Sequence, residues 1–86
     1  MNTTSNKFNL SIEYCVPCDY SSQALLAATS IIKNFQHSID RLVLIPGTKG
    51  IFDVKINDEL VFSKQQIKRF PNEGELINII ENKHAI

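Results

Sequence analysis

The four residues Cys15-Val16-Pro17-Cys18 stand where the hydrophobic period of the chain changes. Before them, Phe8, Leu10, Ile12 and Tyr14 alternate with Asn9, Ser11 and Glu13, the period of two of a strand with one buried face. After them, Leu25, Ala28, Ile32 and Phe35 recur at steps of three and four, one stripe of a helix running from Asp19 to about Phe35. A proline at that junction interrupts strand pairing and presets φ for entry into a helix. Asp19, Ser21 and Ser22 suit the positive end of the helix dipole. The chain thus opens as strand, turn and helix, with both of its cysteines at the joint.

The remaining elements follow from the same periodicities. Gln36, His37 and Ser38 read as an exit loop. Ile39 to Ile45 contains an unbroken apolar run, Leu42-Val43-Leu44-Ile45, which predicts a strand inside the sheet. Pro46-Gly47-Thr48-Lys49-Gly50 breaks the chain. Phe52, Val54 and Ile56 alternate, Asn57-Asp58 forms a two-residue turn, and Leu60-Val61-Phe62 returns, so residues 51–63 predict a hairpin. Ser63 to Phe70, with Lys64, Lys68 and Arg69, reads as a solvated basic loop. Asn72 with Glu75 three residues on caps a last helix, with Gly74 in its first turn and an apolar face of Leu76, Ile77, Ile79 and Ile80. The expected architecture is α/β: a thioredoxin-like two-layer domain in the order β-α-β-β-β-α, with a mixed four-stranded sheet. One domain is expected over residues 1–86, with 1–7 and 81–86 as flexible termini.

A chain of 86 residues has room for a single core, and 43% hydrophobic with 21% charged residues suits a globular one. Nine basic and nine acidic side chains give a formal net charge of zero, which argues against a nucleic-acid or membrane surface. The segment Met1 to Lys7 is polar, unlike a secretory signal, and no apolar run approaches the roughly 18 residues of a membrane span. The default location is cytoplasmic. In a reducing compartment, two cysteines three apart are better explained by chemistry than by stapling.

A Cys-x-x-Cys pair between a strand and a helix brings the two sulfurs within bonding reach, and N–H groups at the helix start favour a thiolate. Asp19, next to Cys18, works against that thiolate. The candidate redox residues are Cys15 and Cys18. Tyr14, Val16, Pro17, Asp19 and Tyr20 shape the site, with Tyr14 and Tyr20 packing its sides. Structural zinc would need four ligands, and the chain offers His37 and His84 besides the pair; His37 lies roughly 27 Å along the helix from Cys18. Redox use of the pair is favoured over a metal site and over two inert cysteines. An interaction module with regulatory or silent cysteines is the competing class. No bound cofactor is expected. Partners would be a protein or a low-molecular-weight thiol or disulfide, and sheet edges that either pair or stay exposed leave oligomeric state open.

Glu13-Tyr14-Cys15-Val16-Pro17-Cys18, the stretch from Pro46 to Val54, Leu60 to Lys64 and Arg69 to Leu76 together resemble the Rdx group, which contains selenoproteins W, T and H and their cysteine-only bacterial relatives. The resemblance runs from about Phe8 to Ile80. It implies the thioredoxin-like fold and a cytosolic thiol-redox role tied to glutathione or thioredoxin systems, with glutathione as a redox partner. Selenocysteine occupies, in selenoprotein members, the place matched by Cys18, whereas in thioredoxins the first cysteine attacks. Cys15 is expected to be the more exposed and Cys18 the better shielded, and the attacker stays open between them. A thiol in place of a selenol, with Asp19 beside it, implies lower reactivity. No proline stands before the hairpin as in thioredoxin, so docking is expected to differ.

Overall fold

The computed structural model describes residues 7–84. The elements are β1 (Phe8–Cys15), α1 (Ser21–Phe35), β2 (Ile39–Gly47), β3 (Phe52–Ile56), β4 (Glu59–Ser63), α2 (Lys64–Ile67) and α3 (Glu75–His84). The sheet order is β2-β1-β3-β4. β1 pairs with β2 in parallel and with β3 antiparallel, and β3 pairs antiparallel with β4. This is the mixed four-stranded, two-layer α/β fold that the sequence predicts, with one helix more. Among the described residues no helix is long and apolar enough to cross a membrane.

The period of two in β1 has a simple cause. Phe8, Leu10 and Ile12 are buried against α1 and α3, while Asn9, Ser11 and Glu13 lie on the opposite, open face of the sheet. Phe52, Val54 and Ile56 of β3 and Phe62 of β4 continue the buried face, and Ala24, Ala28, Ile31, Phe35, Leu76 and Ile80 cover it. Phe8 meets Phe35 edge to face at 6.2 Å. Asn57 and Asp58 both adopt positive φ, as a tight hairpin turn requires. The Asn57 carboxamide also accepts the Asn9 N–H, tying that turn to β1.

Several expectations are corrected. β2 is an edge strand, not an inner one: its apolar run divides between the two faces, and Val43 and Ile45 are exposed on the open one. A continuous apolar run signals two covered faces only where helices flank the sheet on both sides, and here they occupy one. The stripe of α1 is rotated: Ala24, Ala28, Ile31 and Phe35 are buried, whereas Leu25 and Ile32 are exposed. The helix starts at Ser21, so Asp19 is outside it. The basic segment after β4 contains α2, closed by Lys68 in the left-handed region with its N–H on the Lys64 carbonyl. Gly74, at φ 81°, precedes α3 rather than lying in its first turn, a conformation glycine adopts without strain.

Residues 81–84 continue α3 instead of leaving the helix, and Lys83 pairs with Glu59 across to β4. The expectation for 1–6 and 85–86 lies outside the described residues. At the start of α3, the Glu75 carboxylate accepts the Asn72 N–H at 2.9 Å and pairs with the Arg69 guanidinium at 2.7 Å. Because α3 starts at Glu75, Asn72 lies three residues ahead of the helix and is not its N-cap, and Glu75 instead ties the preceding turn to Arg69.

Two measurements check this packing. Ile31→Ala should lower unfolding free energy by about 2–5 kcal/mol in urea titrations, and Ile32→Ala by well under half of that; equal costs would mean that α1 is rotated differently. The Arg69 hydrogen bond first, and the Asn72 N–H second, hold the Glu75 carboxyl below its usual range. A carboxyl depressed in the folded state contributes stability above its unfolded pKa and loses it as pH falls through the folded value. The Tm gap between the native chain and Glu75→Gln should therefore be widest near neutral pH and close as pH drops below about 4.

Candidate dithiol site

Cys15 is the last residue of β1, and residues 16–20 form a turn before α1 begins. The turn is held by backbone bonds: Asp19 N–H donates to the Val16 carbonyl at 2.9 Å and Tyr20 N–H to the Cys15 carbonyl at 3.1 Å. Asp19 reverses the chain in the left-handed region, at φ 64°, a conformation aspartate tolerates better than most residues. Cys15 and Cys18 are joined by a disulfide, their Cα atoms 5.3 Å apart. Cys18 thus lies three residues ahead of the helix rather than in its first turn, so the dipole acts on it weakly. The local donor is Cys18's own backbone: its N–H points to Cys15 Sγ at 3.2 Å.

A second piece of chain clasps the end of β1. β2 and β3 flank β1, so the connection between them, residues 48–51, must pass the point where Cys15 leaves the sheet. Cys15 N–H donates to the Ile51 carbonyl and Val16 N–H to the Gly47 carbonyl, both at 2.9 Å. Tyr14 pairs with Pro46 and Cys15 with Gly47. Gly47 is required by space: a methyl there would sit 2.8 Å from Ile51 Cγ2 and 3.1 Å from Glu13 Cγ and Oε2. Cys15, flanked by these two chain ends, has no exposed surface.

The exposure of the two thiols is the reverse of the sequence expectation. Cys15 is buried, whereas Val16, Pro17, Cys18 and Asp19 are exposed and form the lip of the site. The reason is topological: Cys15 ends a central strand, while Cys18 sits on the crest of the turn. Tyr14 and Tyr20 are half-buried against the core, as packing residues. Tyr20 meets Phe70 edge to face at 4.8 Å, and Phe70 meets Phe52 at 5.3 Å. The Lys64 ammonium lies 5.1 Å from the Phe70 ring centre and 5.4 Å from that of Tyr20. Lys64 is therefore a ring-bound cation, while Arg69 stays exposed and pairs with Glu75. His37 is at the far end of α1.

Sequence reasoning missed Gly47, Ile51, Glu13 and Phe70 as neighbours of the pair. The strand-helix-strand order carried a usable signal for the first two, because it places the ends of β1 and β2 side by side. Phe70 follows α2, and nothing local announces that it folds back onto Tyr20.

The model of the Rdx family matches residues 9–82. The chain belongs to the Rdx family. Its curated relatives include migration and invasion enhancer 1 of Bos taurus, 36% identical over 69 residues, and that of Mus musculus, 35% identical over the same length. Each match takes in 80% of this chain, which spans 58% of the length of those relatives. Among solved structures, a selenoprotein W-related protein from Vibrio cholerae superposes with a TM-score of 0.84 at 22% identity, over 88% of this chain and 95% of that one. A protein from Bordetella parapertussis gives 0.86 at 22% identity, over 90% and 98%. These two share the fold. Within this Rdx chain, the disulfide-bonded Cys15–Cys18 pair is the feature suited to redox chemistry.

Gly47→Ala tests the clasp. The added methyl must displace Ile51 and Glu13, which should cost about 1–3 kcal/mol in denaturant unfolding and expose Cys15 to alkylation in the reduced protein. Unchanged stability and an unreactive Cys15 would mean that the cover is loose.

Proposed function

We propose that this Rdx chain is a small cytosolic thiol–disulfide oxidoreductase that cycles Cys15 and Cys18 between dithiol and disulfide. The observation that carries the reading is the asymmetry of the pair: a bonded Cys15–Cys18 couple in which only Cys18 is exposed. Two influences compete for the role of attacker. The Cys18 N–H stabilises a thiolate on Cys15, a hydrogen bond to charge worth about 1.5–3 kcal/mol. Access favours Cys18, and it wins, since a sulfur without exposed surface cannot take part in an in-line attack on a substrate disulfide. The resemblance agrees, placing selenocysteine where Cys18 stands.

The cycle is then written in two displacements. The Cys18 thiolate attacks one sulfur of a substrate disulfide, forms a mixed disulfide and releases the first substrate thiolate. The Cys15 thiolate attacks Cys18 Sγ, closes the intramolecular disulfide and releases the second thiolate. The substrate gains two electrons and the protein loses two. A glutathione- or thioredoxin-type thiol returns the pair to the dithiol. The exposed Val16-Pro17 lip and the Tyr20–Phe70–Lys64 group flank the place where a protein or small thiol partner would dock.

A redox titration with thiol trapping tests the reading. It should give a reversible, intramolecular, two-electron transition between about −180 and −270 mV. Cys15→Ser should accumulate a mixed disulfide on Cys18, visible by intact mass, and Cys18→Ser should form none. A pair that stays reduced at every poise, or oxidises only between chains, would sink the proposal in favour of an interaction module.

A further inference from the structure

Burial of Cys15 creates a problem that the open face of the sheet can solve. For Cys15 to displace the substrate from Cys18 it must first lose its proton, and in the disulfide-bonded chain it has no exposed surface. The nearest carboxylate by position is Glu13. Tyr14 pairs with Phe52 on the buried face, so Cys15 and Glu13, each one residue from Tyr14, share the other face. Glu13 is in register with Ile45 on β2, but its carboxylate leans forward along the strand: Oε2 lies 3.1 Å from where a Gly47 methyl would stand, and Gly47 is the partner of Cys15. Gly47 thus leaves the space that the Glu13 carboxylate occupies at the strand partner of Cys15. Glu13 is itself only half-buried, and so spans the distance from the sealed thiol to solvent.

We propose that Glu13 is the proton acceptor for Cys15 in the resolving step, a role that rests on the dithiol cycle above. The Cys15 S–H proton passes to the Glu13 carboxylate, directly or through one water; the Cys15 thiolate, held by the Cys18 N–H, bonds to Cys18 Sγ; the Cys18–substrate S–S bond breaks, and the leaving thiolate takes a proton from solvent or from Glu13. Other charged groups share this face. Asp53 of β3 stands directly opposite Glu13, with its Oδ1 buried and without a hydrogen-bond partner among the described residues. Lys55 of β3 is in register with Ser11, and Arg41 of β2 with Asn9, both further from Cys15. Asp53, on the other strand that flanks β1, stands level with Glu13 rather than with Cys15, and Asp19 follows Cys18 on the exposed turn; Glu13 is the carboxylate on the strand of Cys15 itself, its Oε2 against the partner of Cys15.

The test uses the reduced full chain and an aromatic disulfide, 5,5′-dithiobis(2-nitrobenzoate), in stopped flow. Attack by Cys18 releases one chromophoric thiolate, and resolution by Cys15 releases the second. Glu13→Gln should slow the second phase by about a hundredfold near neutral pH and steepen its dependence on pH, and Glu13→Asp should restore part of the rate. A bystander carboxylate predicts the opposite sign, because removing a negative charge beside a forming thiolate speeds its ionisation. A second phase that is unchanged or faster in Glu13→Gln therefore overturns the proposal. If Glu13→Gln does not fold, Glu13→Asp decides: a several-fold slower second phase supports the role, and native kinetics overturn it. Failure of the native chain to release the second thiolate would instead overturn the dithiol reading itself, and Glu13's role with it.

Discussion

The backbone pairing of β1 on both sides is the constraint on which the rest of this molecule depends. β1 meets both the parallel partner and the hairpin, so its buried face seats α1 and α3 and its last residue emerges between two neighbouring chain ends. Those ends supply the carbonyls of Gly47 and Ile51, which take the N–H groups of Val16 and Cys15. Hydrogen bonds made by a strand end to its flanking chains are local in geometry but remote in sequence. They decide how deep the first cysteine sits, and through that depth the division of labour between the thiols.

That division follows from access more than from charge stabilisation. An N–H directed at Cys15 Sγ would normally mark the reactive sulfur. In this chain the residue that carries that sulfur is buried, its strand end flanked by Gly47 and Ile51. The hydrogen bond then serves a thiolate that reacts inside the protein, with Cys18, while Cys18 on the crest of the turn meets the outside. The aromatic group of Tyr20, Phe70 and Phe52, with Lys64 over two of its rings, braces the far side of the turn. The site is thus built from β1, the β2–β3 connection and the segment after α2, three stretches that only the fold brings together.

The open face of the sheet gives a second layer of meaning to residues that alternate as mere polar positions. Ser11, Glu13, Asp53 and Lys55 share that face because the helices cover the other one. Val43 and Ile45 are exposed there for the same reason. A two-layer architecture leaves one side of every strand uncovered by helices, and Glu13 on that side is half-buried at the strand partner of Cys15.

What the sequence by itself determined is the set of local structures whose cause is local: the alternation of β1, the Asn57-Asp58 turn and the placement of two cysteines at a strand-to-helix joint. Periodicity and turn chemistry act over a few residues, so they can be read without knowing what lies opposite. The resemblance to the Rdx group was legible too, because its segments occur in order along the chain. Only the tertiary structure decided that β2 is an edge strand, that Ile31 rather than Ile32 faces the core, and that Cys15 is sealed while Cys18 is open. Each of these depends on which faces other elements cover. A helix with eight apolar residues is compatible with more than one rotation, and burial is set by partners that arrive from tens of residues away. For Cys15 those partners are Gly47 and Ile51, and no pattern around residue 15 announces them.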